Sequence, residues 1–197
     1  MDHNQELAQL IGSRICHDLV SPIGAIGNGL ELMQMTSGAL SPEMSLIQES
    51  LDHANARIRL FRLAFGRATA MQQIGASEIS GLLADIGRTG RVSYHWNGPN
   101  AAPRTEVQAV CLAAMCLERC LPYGGRIQIT NEGSCWHLTA DGRKLLWDAE
   151  TWQALIAMET VPEAANEVEF ALLQNALHRL GRRPVAECFA TLVSLRF

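Results

Sequence analysis

Of the six histidines in the chain, His17 is the one whose neighbours give it a chemistry. Asp18 follows it directly, and Pro22 lies five residues further on. A neutral imidazole is a good nucleophile near pH 7, and its Nε2 can accept a phosphoryl group in line. An adjacent carboxylate can hold the other ring nitrogen as N–H or help to move its proton. Proline inside a helix costs about 3 kcal/mol and usually bends the axis. A bend next to a His–Asp pair is therefore itself the mark of a site.

The other residue types that carry chemistry read as structural. Cys16, Cys111, Cys116, Cys120, Cys135 and Cys188 include no CxxC pair. Cys116 and Cys120 stand one helical turn apart, but no second ligand pair follows at a zinc-like spacing, so no metal site is expected. His53 has no motif around it. Asp141-Gly142 has turn composition, and Trp136, Trp147 and Trp152 suit core packing. Arg179, Arg182 and Arg183 suit a solvated helix end, with help in binding an acidic partner surface as the alternative.

Helices must position the His17 stretch. One runs from about Gln5 to Thr36 and stops near Gly38. Ser41-Pro42-Glu43 opens a second, with an N-cap residue, a proline at N1 and an acidic first turn. Met44, Ile47, Leu51, Ala54, Ile58, Phe61, Phe65 and Ala68 give it an apolar seam that alternates threes and fours. The two make an αα-hairpin with a loop of about five residues. Two antiparallel helices cannot cover so long a stripe. A second hairpin completes a four-helix bundle, so a homodimer through residues 1–70 is expected.

Residues 71–76 read as a connector, after which the pattern changes. Segments 92–96, 126–131, 134–140 and 188–196 have strand composition. Asn131-Glu132-Gly133 should turn the middle two into a hairpin. Helical stretches lie near 78–87, 104–121, 149–158 and 164–180. The expected class is α+β. A hairpin domain covers 1–72, and an α/β sandwich with helices on one face of a mixed sheet covers 77–197.

On a helical wheel centred on His17, Ile11, Ile15, Leu19, Pro22, Ile23, Ile26, Leu30 and Met33 fall on the far side. Leu10, Ser13, Arg14, Ser21, Gly24 and Asn28 fall within about 60° of His17. The apolar stripe belongs to the bundle core, so His17 should face solvent. Small and polar neighbours leave a face that another protein can approach closely.

Composition excludes several classes. Hydrophobic residues at 48% and charged residues at 18% fit a folded chain rather than a disordered one. A formal charge of −4 gives no electrostatic case for direct nucleic-acid binding. The acidic, polar N-terminus lacks the basic region and apolar core of a signal peptide. No apolar run approaches the roughly 18 residues that span a bilayer. A cytoplasmic protein with no membrane contact is expected.

The stretch Ile15-Cys16-His17-Asp18-Leu19-Val20-Ser21-Pro22-Ile23-Gly24-Ala25-Ile26 resembles the H-box of sensor histidine kinases, which reads His-Glu/Asp-Leu, then Thr/Ser-Pro, then apolar residues. Continued through Gly27-Asn28-Gly29-Leu30-Glu31-Leu32, it is similar to the ChpT-type histidine phosphotransferases of alphaproteobacteria. The resemblance extends over the whole chain, with the second half looking like a degenerate kinase ATP-binding domain. It implies a dimeric bundle that takes phosphate from a receiver domain and passes it to response regulators. By position it implies His17 as phosphoacceptor and Asp18 as its acid/base partner, with Ser21 and Pro22 in the Thr/Ser-Pro places. The implied partners are a CckA-like hybrid kinase as donor and CtrA-like and CpdR-like regulators as acceptors. They dock on the face of Arg14, Ser21, Pro22, Gly24 and Asn28. Mg²⁺ is expected on the partner receiver, and no cofactor or metal on this chain.

The same resemblance argues against a kinase. Leu121-Pro122-Tyr123-Gly124-Gly125-Arg126-Ile127 looks like the end of the kinase N-box helix. Counting back, Leu112 and Cys116 stand where a kinase places its Mg²⁺-binding Asn, and neither offers the oxygen that ion requires. Ala140-Asp141-Gly142-Arg143-Lys144 keeps one Asp-Gly of the Asp-x-Gly-x-Gly box. Glu167-Val168-Glu169-Phe170 replaces the glycine-rich loop with carboxylates and a ring that disfavour triphosphate. Phosphotransfer through His17 without nucleotide is therefore the leading reading. An autophosphorylating kinase core and a non-catalytic dimeric scaffold are the alternatives.

Overall fold

The computed structural model describes residues 3–37, 41–159 and 168–197, and before residue 19 only positions 12 and 15 beyond their backbone. Helix α1 (His3–Ser37) runs through Pro22 without interruption, and α2 (Pro42–Phe65) follows it. Ser41 starts α2 as its residue type dictates. Its hydroxyl accepts the Met44 N–H at 3.3 Å, with Pro42 as the first helical residue. Two glycines set how the helices approach. A Cβ at Gly12 would lie 3.3 Å from Phe65 Cβ, and one at Gly27 3.1 Å from Leu51 Cδ2. The stretch of α1 from 12 to 27 thus matches the stretch of α2 from 65 back to 51. The hairpin is antiparallel with the backbone of position 17 level with the Leu60–Phe61 step.

The seam expected on α2 describes only part of that helix. Leu51 and Ile58 are buried, but Ile47 is exposed and Ala68 lies beyond the helix end. A further buried line of Ala56, Leu60, Leu63 and Ala64 joins the main core. Helix α2 therefore packs on two sides, against α1 and against the C-terminal domain, which a single-stripe reading cannot anticipate.

The C-terminal domain holds helices α3 (Ala76–Thr89), α4 (Arg104–Arg119), α5 (Ala149–Ala157) and α6 (Val168–Leu180). Strands β2 (Val92–Asn97), β4 (Gly125–Glu132), β5 (Cys135–Asp141), β7 (Leu192–Arg196) and β6 (Val185–Cys188) lie side by side in that order. β2 and β4 are parallel and the other neighbours antiparallel, so the sheet is mixed as expected. The parallel pair needs a crossover, and α4 supplies it. Every residue of α4 from Val107 to Leu117 is buried, because the helix is enclosed by α2, α6 and the sheet.

Three expectations are corrected. Segment 188–196 is not one strand: β6 and β7 form a hairpin closed by the Phe189 N–H to Leu192 carbonyl bond at 2.7 Å. Its turn, Ala190-Thr191, carries none of the Gly, Asn or Pro signals that mark a reversal. The connector contains β1 (Gln73–Gly75), paired antiparallel with β3 (Ala101–Pro103). Three residues are too few to show a period. The β4–β5 turn falls on Gly133-Ser134 rather than Asn131-Glu132-Gly133, since Glu132 pairs with Cys135 and Gly133 takes φ +67°. A positive φ at the first loop position is the place of glycine.

Candidate functional site

Described residues fix the orientation of α1. Gly12, Ile23, Gly27 and Leu30 fall within about 60° of one another on a 100° wheel. They mark the side facing α2: both glycines meet it, Ile23 is half-buried and Leu30 buried. Ile15, Leu19, Ile26 and Met33 fall beside them, between about 300° and 340° round from Gly12. These four are 44–53% exposed. Within one chain, most of the expected core stripe is therefore uncovered.

Positions 14, 17, 21, 24 and 28 fall on the opposite side, between about 120° and 200° from Gly12. Ser21 and Asn28 are exposed, as is Pro22, which the wheel sets near the apolar line. Gly24 is half-buried, and a Cβ built there meets nothing within 4 Å. The side chains of Arg14, His17 and Asp18 lie outside the described residues, so the expected solvent-facing His17 and its relation to Asp18 rest on the backbone position alone. That position belongs to a small, polar line opposite the bare apolar one.

The joint between hairpin and C-terminal domain is built of charged and amide groups that the sequence reading passed over. Arg57 on α2 bonds both carboxylate oxygens of Glu118 on α4, at 3.1 and 2.8 Å. Arg59 pairs with Asp85 of α3. Buried Gln108 donates its amide to the carbonyls of Ala64 and Gly66, at 2.9 and 2.8 Å, and so closes the open end of α2. Arg179 of α6 donates to the Gln108 Oε1 at 3.2 Å. Arg182 pairs with Glu106 at 3.0 Å, and the other Glu106 oxygen accepts the Trp136 indole N–H at 2.7 Å. Arg179 is exposed in the last turn of α6, as expected of a solvated helix end, and still reaches Gln108, whereas Arg182 is half-buried on Glu106. They tie α6 to α4, and such pairs between distant segments leave no signal in a linear sequence.

Helices α4 and α6 pack directly on each other. Leu112 and Cys116 are fully enclosed, and burial pushes the Cys116 thiol well above its usual range. Glu169 lies 3.5 Å from Arg119, and Phe170 meets Trp152 edge-on with centroids 5.1 Å apart. Trp152 in turn stacks on Trp147 at 4.7 Å, and Trp136 is buried against Trp96. These tryptophans are packing residues, as expected. Glu167 lies outside the described residues. Among the described residues no group of His, Cys, Asp and Glu is placed to hold a metal ion, and no helix is long and apolar enough to cross a membrane.

A helical hairpin whose α1 carries position 17 on this line is followed by a mixed five-stranded sheet and its helices. A family model described as histidine phosphotransferase C-terminal domain matches residues 76–187, more than half of the chain. The chain belongs to the histidine phosphotransferase family. It is 35% identical over 131 residues to the protein phosphotransferase ChpT of Brucella abortus (strain 2308), over 66% of this chain and 62% of that protein's length. The solved structure of a bacterial phosphotransferase shares the fold, with a TM-score of 0.71 at 24% identity over 100% of this chain and 96% of that one. The histidine kinase AdeS of Acinetobacter baumannii aligns with a TM-score of 0.47 at 12% identity, over 91% of this chain and 95% of that one.

Proposed function

We propose that this protein is a phosphorelay histidine phosphotransferase that carries its phosphoryl group on His17. The observation that carries the reading is the place of position 17 on a small, polar helix line with Ser21, Gly24 and Asn28, opposite the bare apolar line of Ile15, Leu19, Ile26 and Met33. The apolar line calls for a second hairpin, which makes the protein a homodimer through a four-helix bundle. The polar line then stays outside and receives partners.

The donor is a receiver domain bearing phosphoaspartate. Nε2 of neutral His17 attacks phosphorus, a P–N bond forms, and the bond to the aspartyl oxygen breaks to leave the donor's carboxylate. Asp18 is the group assigned to hold or move the Nδ1 proton. Mg²⁺ on the partner receiver offsets the charge on the phosphoryl oxygens. In the second half of the relay, a response regulator's Asp takes the phosphoryl group from Nε2 on the same face. CckA-like donors and CtrA-like and CpdR-like acceptors are the partners that the family suggests.

This relay uses no nucleotide on the chain itself. Enclosed Leu112 and Cys116 offer no hard oxygen ligands, and Phe170 packs against Trp152 where a phosphate loop would need open backbone. Two incubations test the reading against an autophosphorylating kinase and a scaffold: one with a ³²P-labelled receiver, one with labelled ATP. Label passing from the receiver alone is the expected result. Label from ATP alone would make the protein a kinase, and label from neither would leave a docking scaffold.

A further inference from the structure

At the end of the sheet where β2 and β4 begin and β5 stops, a cleft of about 350 Å³ opens. Ser93, Arg126, Asp141 and Arg143 line it, with Tyr123 and Gly124 from the turn after α4. The Gly142 N–H donates to the Thr191 carbonyl and the Leu146 N–H to the Cys120 carbonyl, both at 3.0 Å. Those bonds bring the β6–β7 turn and the segment after β5 to the same end.

Arg91, Arg126, Arg143 and Lys144 are all exposed here, with Asp141 as the carboxylate among them. Asp141 is the cross-strand neighbour of Arg126. Among the described residues, however, none of the four cations enters an ion pair. They stand together in a chain whose formal charge is −4. Large apolar side chains share the surface: Tyr123 is 71%, Leu146 59% and Phe189 55% exposed. The Lys144 amine lies 5.7 Å from the centre of the Tyr123 ring. The backbone beneath is closely packed. Gly124 takes φ +84°, and a Cβ there would meet the Arg91 carbonyl oxygen at 2.3 Å. The surface is thus pre-formed, and docking on it orders little chain.

We propose that this end of the sheet docks an acidic segment of a partner protein, one in which carboxylates alternate with apolar side chains. Guanidinium groups take carboxylates two oxygens at a time, and the charge complements Arg91, Arg126 and Arg143. Tyr123, Leu146 and Phe189 cover the apolar side chains between the carboxylates. Arginine set among aromatic side chains is the composition enriched at protein interfaces. A nucleic-acid backbone fits less well, because the negative charge of the chain as a whole opposes its phosphates. This inference does not depend on His17.

Fluorescence anisotropy of a short labelled peptide in which Glu alternates with Leu, titrated with the full chain at fixed ionic strength, tests it. Oligoglutamate of equal charge and oligodeoxythymidine are the comparison probes. Saturable binding of the Glu–Leu peptide at one site per chain is expected, with both other probes at least about tenfold weaker. Arg126→Gln/Arg143→Gln and Tyr123→Ala/Phe189→Ala should each weaken the peptide by at least about tenfold while circular dichroism stays that of the wild type. Arg183→Gln, which removes an exposed cation ahead of β6, should leave binding unchanged. Absence of saturable binding, equal binding by either folded double variant, equal weakening by Arg183→Gln, or a comparison probe as tight as the peptide would each overturn the proposal.

Discussion

A single nitrogen of Arg57 serves both oxygens of the Glu118 carboxylate, at 3.1 and 2.8 Å. The charge of the same carboxylate bears on the Tyr94 hydroxyl, and the Arg57 guanidinium lies 5.4 Å from the centre of the Phe61 ring. Helices α2 and α4 and strand β2 thus share one charged junction, and it sets the hairpin against the domain that defines the family. Both partners are roughly a quarter to a third exposed, so solvent screens part of the attraction. Arg57→Ala should cost about 1 kcal/mol. A double-mutant cycle with Glu118→Gln, read by urea unfolding, should return most of that as coupling. Strict additivity would show that the junction contributes nothing.

Gln108 presents a harder case, because it is 3% exposed and holds three partners. Gln108→Leu preserves the packing volume but strips donors from the Ala64 and Gly66 carbonyls. It also strips the acceptor from Arg179. A loss of about 1–3 kcal/mol is expected, with faster amide exchange in the last turn of α2. An unchanged urea midpoint would mean that water serves those carbonyls equally well.

Gly24 tests the docking face. Nothing stands within 4 Å of a Cβ there, so Gly24→Trp should fold and dimerise like the wild type by circular dichroism and light scattering. Transfer from a phosphorylated receiver should fall at least about tenfold, since a ring on the polar line obstructs the approach. Normal transfer by this variant would move the docking face elsewhere.

Burial, reinforced by the Glu118 carboxylate, raises the pKa of Tyr94 far above that of a free tyrosine. A folded-state pKa above the unfolded one gives a stability term fully present below the unfolded value of about 10 and lost as pH rises past it. Unfolding free energy should therefore drop above about pH 10, and Tyr94→Phe should flatten that drop while costing about 1 kcal/mol at pH 7. Identical alkaline slopes in the two proteins would show that another group governs the decline.

Much of this was legible in the residues. Ser41-Pro42 fixed the start of α2, and the 3.6 period on α1 separated the line of Ser21, Gly24 and Asn28 from that of Ile15 and Ile26. What stayed hidden is what depends on pairing across distance. The second buried line of α2 exists only because α3 and α4 pack on it. The 190–191 turn is specified by strand pairing rather than by turn residues. Arg57, Gln108 and Arg104 look like ordinary helix residues until the fold sets them against Glu118, the end of α2 and the Arg62 carbonyl. Arg182 reads as solvated for the same reason, although it is half-buried on Glu106 of α4.

Phosphoryl transfer to His17 is the central claim, and a comparison of three proteins tests it most directly. Wild type, His17→Ala and His53→Ala are each incubated with a receiver domain carrying labelled phosphoaspartate, and acid-labile label on the phosphotransferase is counted. The account expects equal label on wild type and His53→Ala and none on His17→Ala, all three being dimers of unchanged helicity. Label persisting on a folded His17→Ala protein would contradict it.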